Sequence, residues 1–394
     1  MRDNRRALAE TSRSTAGTDR AGSPAEQGKS LDPAVETFDV RFCSLEPVAA
    51  RRYSGRSVNS IVRQRRRVLV YGIGCVAVLA VLATVTLVSG EIAMPVPTAL
   101  SAALGMGDAG DVYVVQQFRA PRLVAGVIAG AGLAVAGAIL QRLFRNPLAS
   151  PDVMGVTGGA SLGVVLILAF GASQAAIPFG ALAGGVLAGV LLILLGSKAG
   201  LPVARLVLVG LAVQAGLQAA VNLFVVRFPR ELASSATQWT VGSLYGRTWT
   251  EVQGAALALA VVLVLAFVQY RTLATLDLGD ESAGALGISV PSARLRLLMT
   301  AVVLASLAAA IAGPITFVAL AVPQLVRMLV GPPSALSLFV TGLAGAVLLV
   351  GCDLVAQHVS PVTVPVGIVT ATIGAPWLLI LMLRESSPAH RRTA

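Results

Sequence analysis

Apolar stretches of bilayer length recur along this chain, and that pattern limits its fold more than any other feature. A hydrocarbon core about 30 Å thick needs about 20 consecutive apolar residues in a helix. The chain offers ten such stretches, at 68–89, 120–141, 153–172, 176–196, 203–226, 252–269, 297–313, 314–331, 336–356 and 362–383. Lipid supplies no hydrogen bonds to a bare backbone, so each stretch must be helical. The reading is an all-α polytopic membrane protein with about ten transmembrane helices. Gly313-Pro314 and Pro323 interrupt residues 297–331, so the two spans there can be divided in more than one way. Of 394 residues, 56% are apolar and 12% charged, against roughly 25% charged in soluble domains. That balance excludes a soluble enzyme and a disordered chain.

Charge placement tests the span count. Residues 1–60 are rich in Ser, Gly, Ala, Arg and acids with little apolar periodicity, and they read as disordered. Arg63, Arg65, Arg66 and Arg67 then abut the first apolar run. Val88-Ser89-Gly90-Glu91 makes a poor cleavage site, so this run reads as an uncleaved first span rather than a secretory signal. With the N-terminus inside, the internal segments carry eighteen Lys and Arg from residue 51 onward. The external ones carry five: Arg119, Arg122, Arg227, Arg230 and Arg247. This bias follows the positive-inside rule and puts both termini in the cytoplasm. The expected organisation is a basic, disordered cytoplasmic tail over 1–67, a transmembrane domain over 68–384 and a short cytoplasmic tail over 385–394. The formal net charge of +11 then reflects topology, and no nucleic-acid partner is expected.

Several chemistries lack their residues. Cys43, Cys75 and Cys352 have no metal-ligand spacing, and His358 and His390 are the only histidines, so no metal site is expected. Gly28-Lys29-Ser30 ends like a phosphate loop, but Ser23 stands where the first glycine is required. Gly72-Ile-Gly74 lies inside an apolar span with no strand before it, which excludes a dinucleotide fingerprint. No nucleophile and base are arranged for catalysis, so catalytic residues are not expected. Asp353 is the clearest acid inside a span, readable as a functional group or as a residue near the external interface. No second acid or lysine offers a proton relay, which disfavours an ion-coupled carrier. If the chain moves a solute uphill, its energy must come from a partner or an ion gradient. Glycines at four-residue spacing, such as Gly155, Gly159 and Gly163, or Gly180 and Gly184, point to close helix packing within one bundle.

From the second span the blocks are recognisable. They include Arg119-Ala-Pro121-Arg122, Gly137-Ala-Ile-Leu-Gln141, Asn146-Pro147-Leu148-Ala149-Ser150-Pro151 and Trp239-Thr-Val-Gly242. Leu276-Asp-Leu-Gly279-Asp280-Glu281 with Leu286-Gly287, Gly313-Pro314-Ile315 and Pro365-Val-Gly367 follow in order. The chain resembles the iron-chelate and vitamin B12 permeases of ABC importers, the FecCD type, over about residues 68–384. The resemblance implies a ten-span subunit of type II importer architecture. It implies pairing with a second permease subunit, as homodimer or heterodimer, with two cytoplasmic ATPases and with an extracytoplasmic substrate-binding protein in a plasma-membrane complex. No cofactor is expected on this chain, since the ATPases hydrolyse the ATP. The implied cargo is a ferric siderophore or related chelate, with cobalamin or haem as the alternative and an ion-coupled carrier as the reading from another class.

The resemblance also implies roles. Arg119 and Arg122 would dock acidic residues of the binding protein. Asn146 and Leu148 would form the cytoplasmic gate, with Gln141 near the inner end of span two facing the path. Asp280, Glu281, Leu286 and Gly287 would couple to the ATPase within about residues 274–290, with Ala283, Leu286 and Ile288 as candidate anchors. Three positions depart from the family pattern. Gln324 follows Pro323 where His is usual, Gln357 stands where an arginine is usual, and Thr363 where an acid is usual. These departures suggest a subunit that works as half of a heterodimer.

Overall fold

The computed structural model describes residues 47–90, 93–197, 203–359 and 364–385. All regular structure among them is helical. Ten apolar helices form the frame: α1 (Pro47–Val88), α2 (Ala120–Leu143), α3 (Val156–Ala169), α4 (Ile177–Ser197) and α5 (Val203–Arg227). The second half holds α6 (Trp249–Val268), α7 (Val290–Ala312), α8 (Val318–Val330), α9 (Ala335–His358) and α10 (Val366–Glu385). Seven helical segments are long and apolar enough to cross a membrane, while α3, α8 and the apolar part of α10 are shorter. Each of the ten overlaps one expected span. The short helices Val96–Ala103, Ala109–Val114, Arg230–Val241, Tyr270–Leu276 and Asp280–Ala285 link them.

One expectation for the tail changes. The described part of it, from residue 47, is helical and continuous with the first span, so Arg63–Arg67 lie within α1. Pro47 suits a first helical position, and no proline interrupts the helix after it. Residues 1–46 and 386–394 lie outside the described residues, as do Thr363, Cys43, His390 and the Gly28-Lys29-Ser30 segment.

Helices α2 and α7 form the buried centre of the compact unit that spans residues 55–394. Helix α2 packs on α9, α7, α8 and α6, and α3 packs on α4. The glycine faces explain the close approach. A methyl at Gly159 would overlap the Gly184 carbonyl, one at Gly163 the Gly180 carbonyl, and one at Gly130 the Gly345 carbonyl. The spaced glycines therefore serve packing within one chain. Where apolar burial gives little drive between helices in lipid, such contact supplies it.

Short α3 and α8 each follow irregular backbone, at 144–155 and 313–317. These segments contain the two non-glycine residues with positive φ, Arg145 at 47° and Phe317 at 68°. Irregular backbone at membrane depth is tolerated only inside protein or along a water-filled cavity. The side-chain ties at the bundle ends define two faces. Gln64 Nε2 donates to Pro332 O at 2.7 Å on the face carrying Arg63–Arg67, called the basic end below. Trp249 Nε1 donates to Gln116 O at 2.6 Å on the opposite end.

Candidate functional site

At the opposite end, the two arginines expected to dock a partner are turned inward. Arg119 is 8% exposed, and its guanidinium donates to the Leu87 and Val88 carbonyls. Those carbonyls belong to the last turn of α1, which has no further helical donor. Arg122 grips Asp353 with two hydrogen bonds, Nε to Oδ2 at 2.8 Å and Nη2 to Oδ1 at 2.9 Å. Its Cζ also lies 5.9 Å from the centre of the Tyr245 ring. Asp353 is 4% exposed and accepts a third bond from Gln357 Nε2 at 2.9 Å. Gln357, where the family pattern has an arginine, thus serves the same carboxylate without adding charge. Arg247 lies 3.6 Å from Glu251. Arg227 and Arg230 are exposed and make no ion pair among the described residues.

Midway, α3, α5, α10, the end of the short helix Arg230–Val241 and the break around Thr316 line an open cavity of about 370 Å³. Thr157, Ser161, Gln214, Gln218, Thr240, Thr316 and Thr372 supply its polar lining, and no ionisable side chain borders it. Gln214 Oε1 is buried without a hydrogen-bond partner among the described residues. Gln218 Nε2 donates to Asn222 Oδ1 at 3.3 Å one turn further along α5.

At the basic end, α2 closes with a Schellman turn. Asn146 N–H donates to Gln141 O at 3.0 Å and Arg145 N–H to Arg142 O at 3.1 Å. This turn puts Arg145 in the left-handed region, where glycine is usual. Arg145 Nη2 donates to Leu276 O at 3.2 Å, which ties the side chain to the next segment. Asn146 Oδ1 then accepts Leu148 N–H at 2.9 Å, so the expected gate residues form an Asx turn that leaves Leu148 exposed.

Gln141 does not line the 370 Å³ cavity but borders a second one, of about 320 Å³, at the basic end. It is 8% exposed, and its Nε2 donates to Leu320 O at 3.0 Å and toward Ala319 O at 3.4 Å. Pro323, inside α8, has no N–H for the Ala319 carbonyl four residues earlier. Gln141 therefore bonds the Leu320 carbonyl and reaches toward the Ala319 carbonyl that the proline frees. Gln324 Nε2 donates to Gln141 Oε1 at 2.8 Å, so the departure at position 324 completes this network.

Within the segment expected to couple, about residues 274–290, Gly279 at φ 105° precedes the helix Asp280–Ala285 and Gly287 at φ 82° follows it. Arg294 holds Asp280 at 2.8 Å, and Glu281 is exposed. Of the three expected anchors, Ala283 is fully buried and Ile288 packs partly on the core, so only Leu286, 65% exposed, faces outward. Leu278, equally exposed, adds a second apolar side chain that the sequence reading missed. Arg142 Nη2 meets Asp277 Oδ2 at 2.6 Å, and Arg142 stacks 5.0 Å from the Tyr270 ring centre. The segment around Asp277 is thus tied to the residue next to Gln141. Spacing could not reveal this tie, because its partners lie 135 positions apart.

Comparison with known proteins matches this arrangement to one family. The FecCD transport family model covers residues 78–384. The ferric enterobactin transport system permease protein of Escherichia coli (strain K12) is 37% identical, covering 82% of this chain and 98% of that protein. The Fe(3+)-citrate import system permease protein of Bacillus subtilis (strain 168) is 36% identical, with the same two coverages. A cobalamin import system permease protein of Halobacterium salinarum is 37% identical over 76% of this chain and 81% of its own length. Among solved structures, a metal-chelate type ABC transporter in an inward-facing conformation superposes with a TM-score of 0.72 at 29% identity. That match covers 79% of this chain and 98% of the other. The chain is a multi-pass membrane protein and belongs to the FecCD transport family.

Proposed function

We propose that the chain is the permease subunit of an ATP-driven importer for a ferric siderophore or related iron chelate. ATP is hydrolysed by two separate ATPase subunits, and alternating access carries the chelate inward to the cytoplasm. The observation that carries this reading is the polar stripe on α5. Gln214, Gln218 and Asn222 recur every four residues on a helix whose apolar core is only 11% buried. Amides left facing lipid would lack partners. A second permease subunit across this face would close the adjoining cavity into a path lined by hydroxyls and amides. Such a lining, without fixed charge, gives a bulky chelate weak, replaceable hydrogen bonds, so it can enter and also leave.

The basic end is cytoplasmic in this reading. There Glu281, Leu278 and Leu286 offer an acidic group between two apolar side chains, suited to seating the coupling helix in an ATPase groove. Binding-protein docking at the opposite end falls to exposed Arg227 and Arg230, because Arg119 and Arg122 are spent on internal contacts. The pairing is homodimeric or heterodimeric. Purification of an active transporter from this permease alone with its ATPase would exclude the heterodimer.

Iron is favoured because the ferric enterobactin and ferric citrate permeases named above align over more of this chain than the cobalamin permease. The halobacterial relative keeps cobalamin as a second reading. The test is uptake of iron-labelled native siderophore by iron-starved cells with and without the gene, with labelled cobalamin in parallel. Loss of iron uptake alone is the expected result. Normal iron uptake with lost cobalamin uptake would overturn the cargo, and uptake that survives loss of the ATPase would overturn the mechanism.

A further inference from the structure

A second cavity lies at the basic end, between the α2 terminus, α8 and the start of α9. It holds about 320 Å³ and is bordered by Arg142, Arg145, Arg327, Asn146 and Ser334, with Asp277 as its one acid. Arg142 is committed to Asp277, which leaves two lining guanidinium charges uncompensated. Arg327 is exposed and makes no ion pair among the described residues. Arg145 gives one nitrogen to a carbonyl, which does not neutralise it. The first turn of α9, a 24-residue helix, opens on the same cavity and adds its positive dipole end.

Two neighbours indicate what fills such a space. The exposed apolar side chains of Met328, Leu329 and Leu336 flank the lining residues in sequence, as lipid-facing positions would. Gln64 fastens α1 to Pro332, between the lining residues Gly331 and Pro333, so the helix segment that carries exposed Arg63, Arg65, Arg66 and Arg67 is tied beside the cavity. A concave cationic site bordered by greasy side chains, at the level where a helix leaves the bilayer, fits a phosphodiester with acyl chains attached. A free anion would need no apolar border.

We propose that this cavity binds the headgroup of an anionic phospholipid from the inner leaflet. The proposal rests on the cytoplasmic assignment of the basic end. The bound headgroup would sit against Asn146 and the Arg142–Asp277 pair, so its occupancy would steady the turn expected to gate the path. Nothing in the site reads glycerol, so the chemistry recognised is the phosphate diester and its charge.

The full chain, purified in mild detergent after exposure to phosphatidylglycerol or phosphatidylcholine vesicles, is examined by native mass spectrometry. Retention of phosphatidylglycerol and not phosphatidylcholine is expected. The double substitution Arg145→Gln with Arg327→Gln should cut retention about tenfold or more, given two charges removed from the anionic headgroup. Arg145→Lys with Arg327→Lys should keep most of it. Equal retention of both lipids by the unsubstituted chain would overturn the proposal, whether or not the glutamine variant folds. Undiminished retention by a folded glutamine variant would overturn it as well. Displacement of the lipid by millimolar inorganic phosphate would assign the site to a free anion instead. The readout is independent of transport, so failure of the uptake experiment would leave it standing.

Discussion

Arg122 and Asp353 are 231 positions apart in the chain and 2.8 Å apart in space. Their side chains are 17% and 5% exposed, so removing either partner strands a charge in a poorly solvated place. Arg122→Ala is expected to destabilise the protein by about 3 kcal/mol, as for broken buried pairs. Replacing both partners by apolar residues of similar size should cost less than either single change. Thermal unfolding of the purified chain in detergent checks both. Asp152 lies in the irregular turn between α2 and α3, and its Oδ1 is buried without a hydrogen-bond partner among the described residues.

At the scale of elements, the glycine contacts between α3 and α4 decide how close those helices come. Gly163 faces the Gly180 carbonyl and Gly184 the Gly159 carbonyl, with no room for a methyl. Gly184→Ala is expected to cost about 1–3 kcal/mol through forced separation of the helices. Gly74→Ala, at a position where a methyl meets nothing within 4 Å, should be close to neutral. Comparing their unfolding temperatures tests whether the small-residue faces serve packing in the monomer. The elements also show where legibility stopped. The spans could be read because crossing lipid demands length and apolarity together. The boundary at 313–317 could not, because Gly313 and Pro314 permit a break without specifying where α8 resumes. The structure starts α8 at Val318, after Phe317 at φ 68°.

Across the whole molecule, the Arg142–Asp277 pair and the Arg145–Leu276 bond connect the segment proposed to couple to the turn that holds Asn146 and Leu148. A rigid link of this kind lets a push on Asp280–Ala285 reach the α2 terminus without passing through lipid-facing helices. Asp277 is 35% exposed, so the pair adds little to stability and its value lies in position. Asp277→Asn should leave ATPase recruitment intact while lowering uptake per ATP hydrolysed about fivefold, a coupling energy near 1 kcal/mol. Exchanging the two charges, Arg142→Asp with Asp277→Arg, should recover part of the loss. Glu281→Arg, by contrast, should abolish recruitment itself. Pull-down of the ATPase and uptake in reconstituted vesicles separate the two effects.

The sequence by itself determined that this chain is an all-helical multi-pass membrane protein, which end of it is basic, and which family it resembles. Those properties depend on composition within short windows, and short windows are local. It also marked Arg122, Gln141, Asp353 and the Asp280–Gly287 segment as worth watching. Only the tertiary structure decided what each does. Arg122 neutralises Asp353, Gln141 bonds α8 carbonyls ahead of Pro323, Ala283 turns inward, and Arg142 ties two distant loops together. Each outcome depends on partners between 135 and 231 positions away, or on which way a short helix is rolled. Hydrophobic periodicity carries no record of either, because a polar group on a helix face reads the same whether its partner is water, another helix or a second subunit.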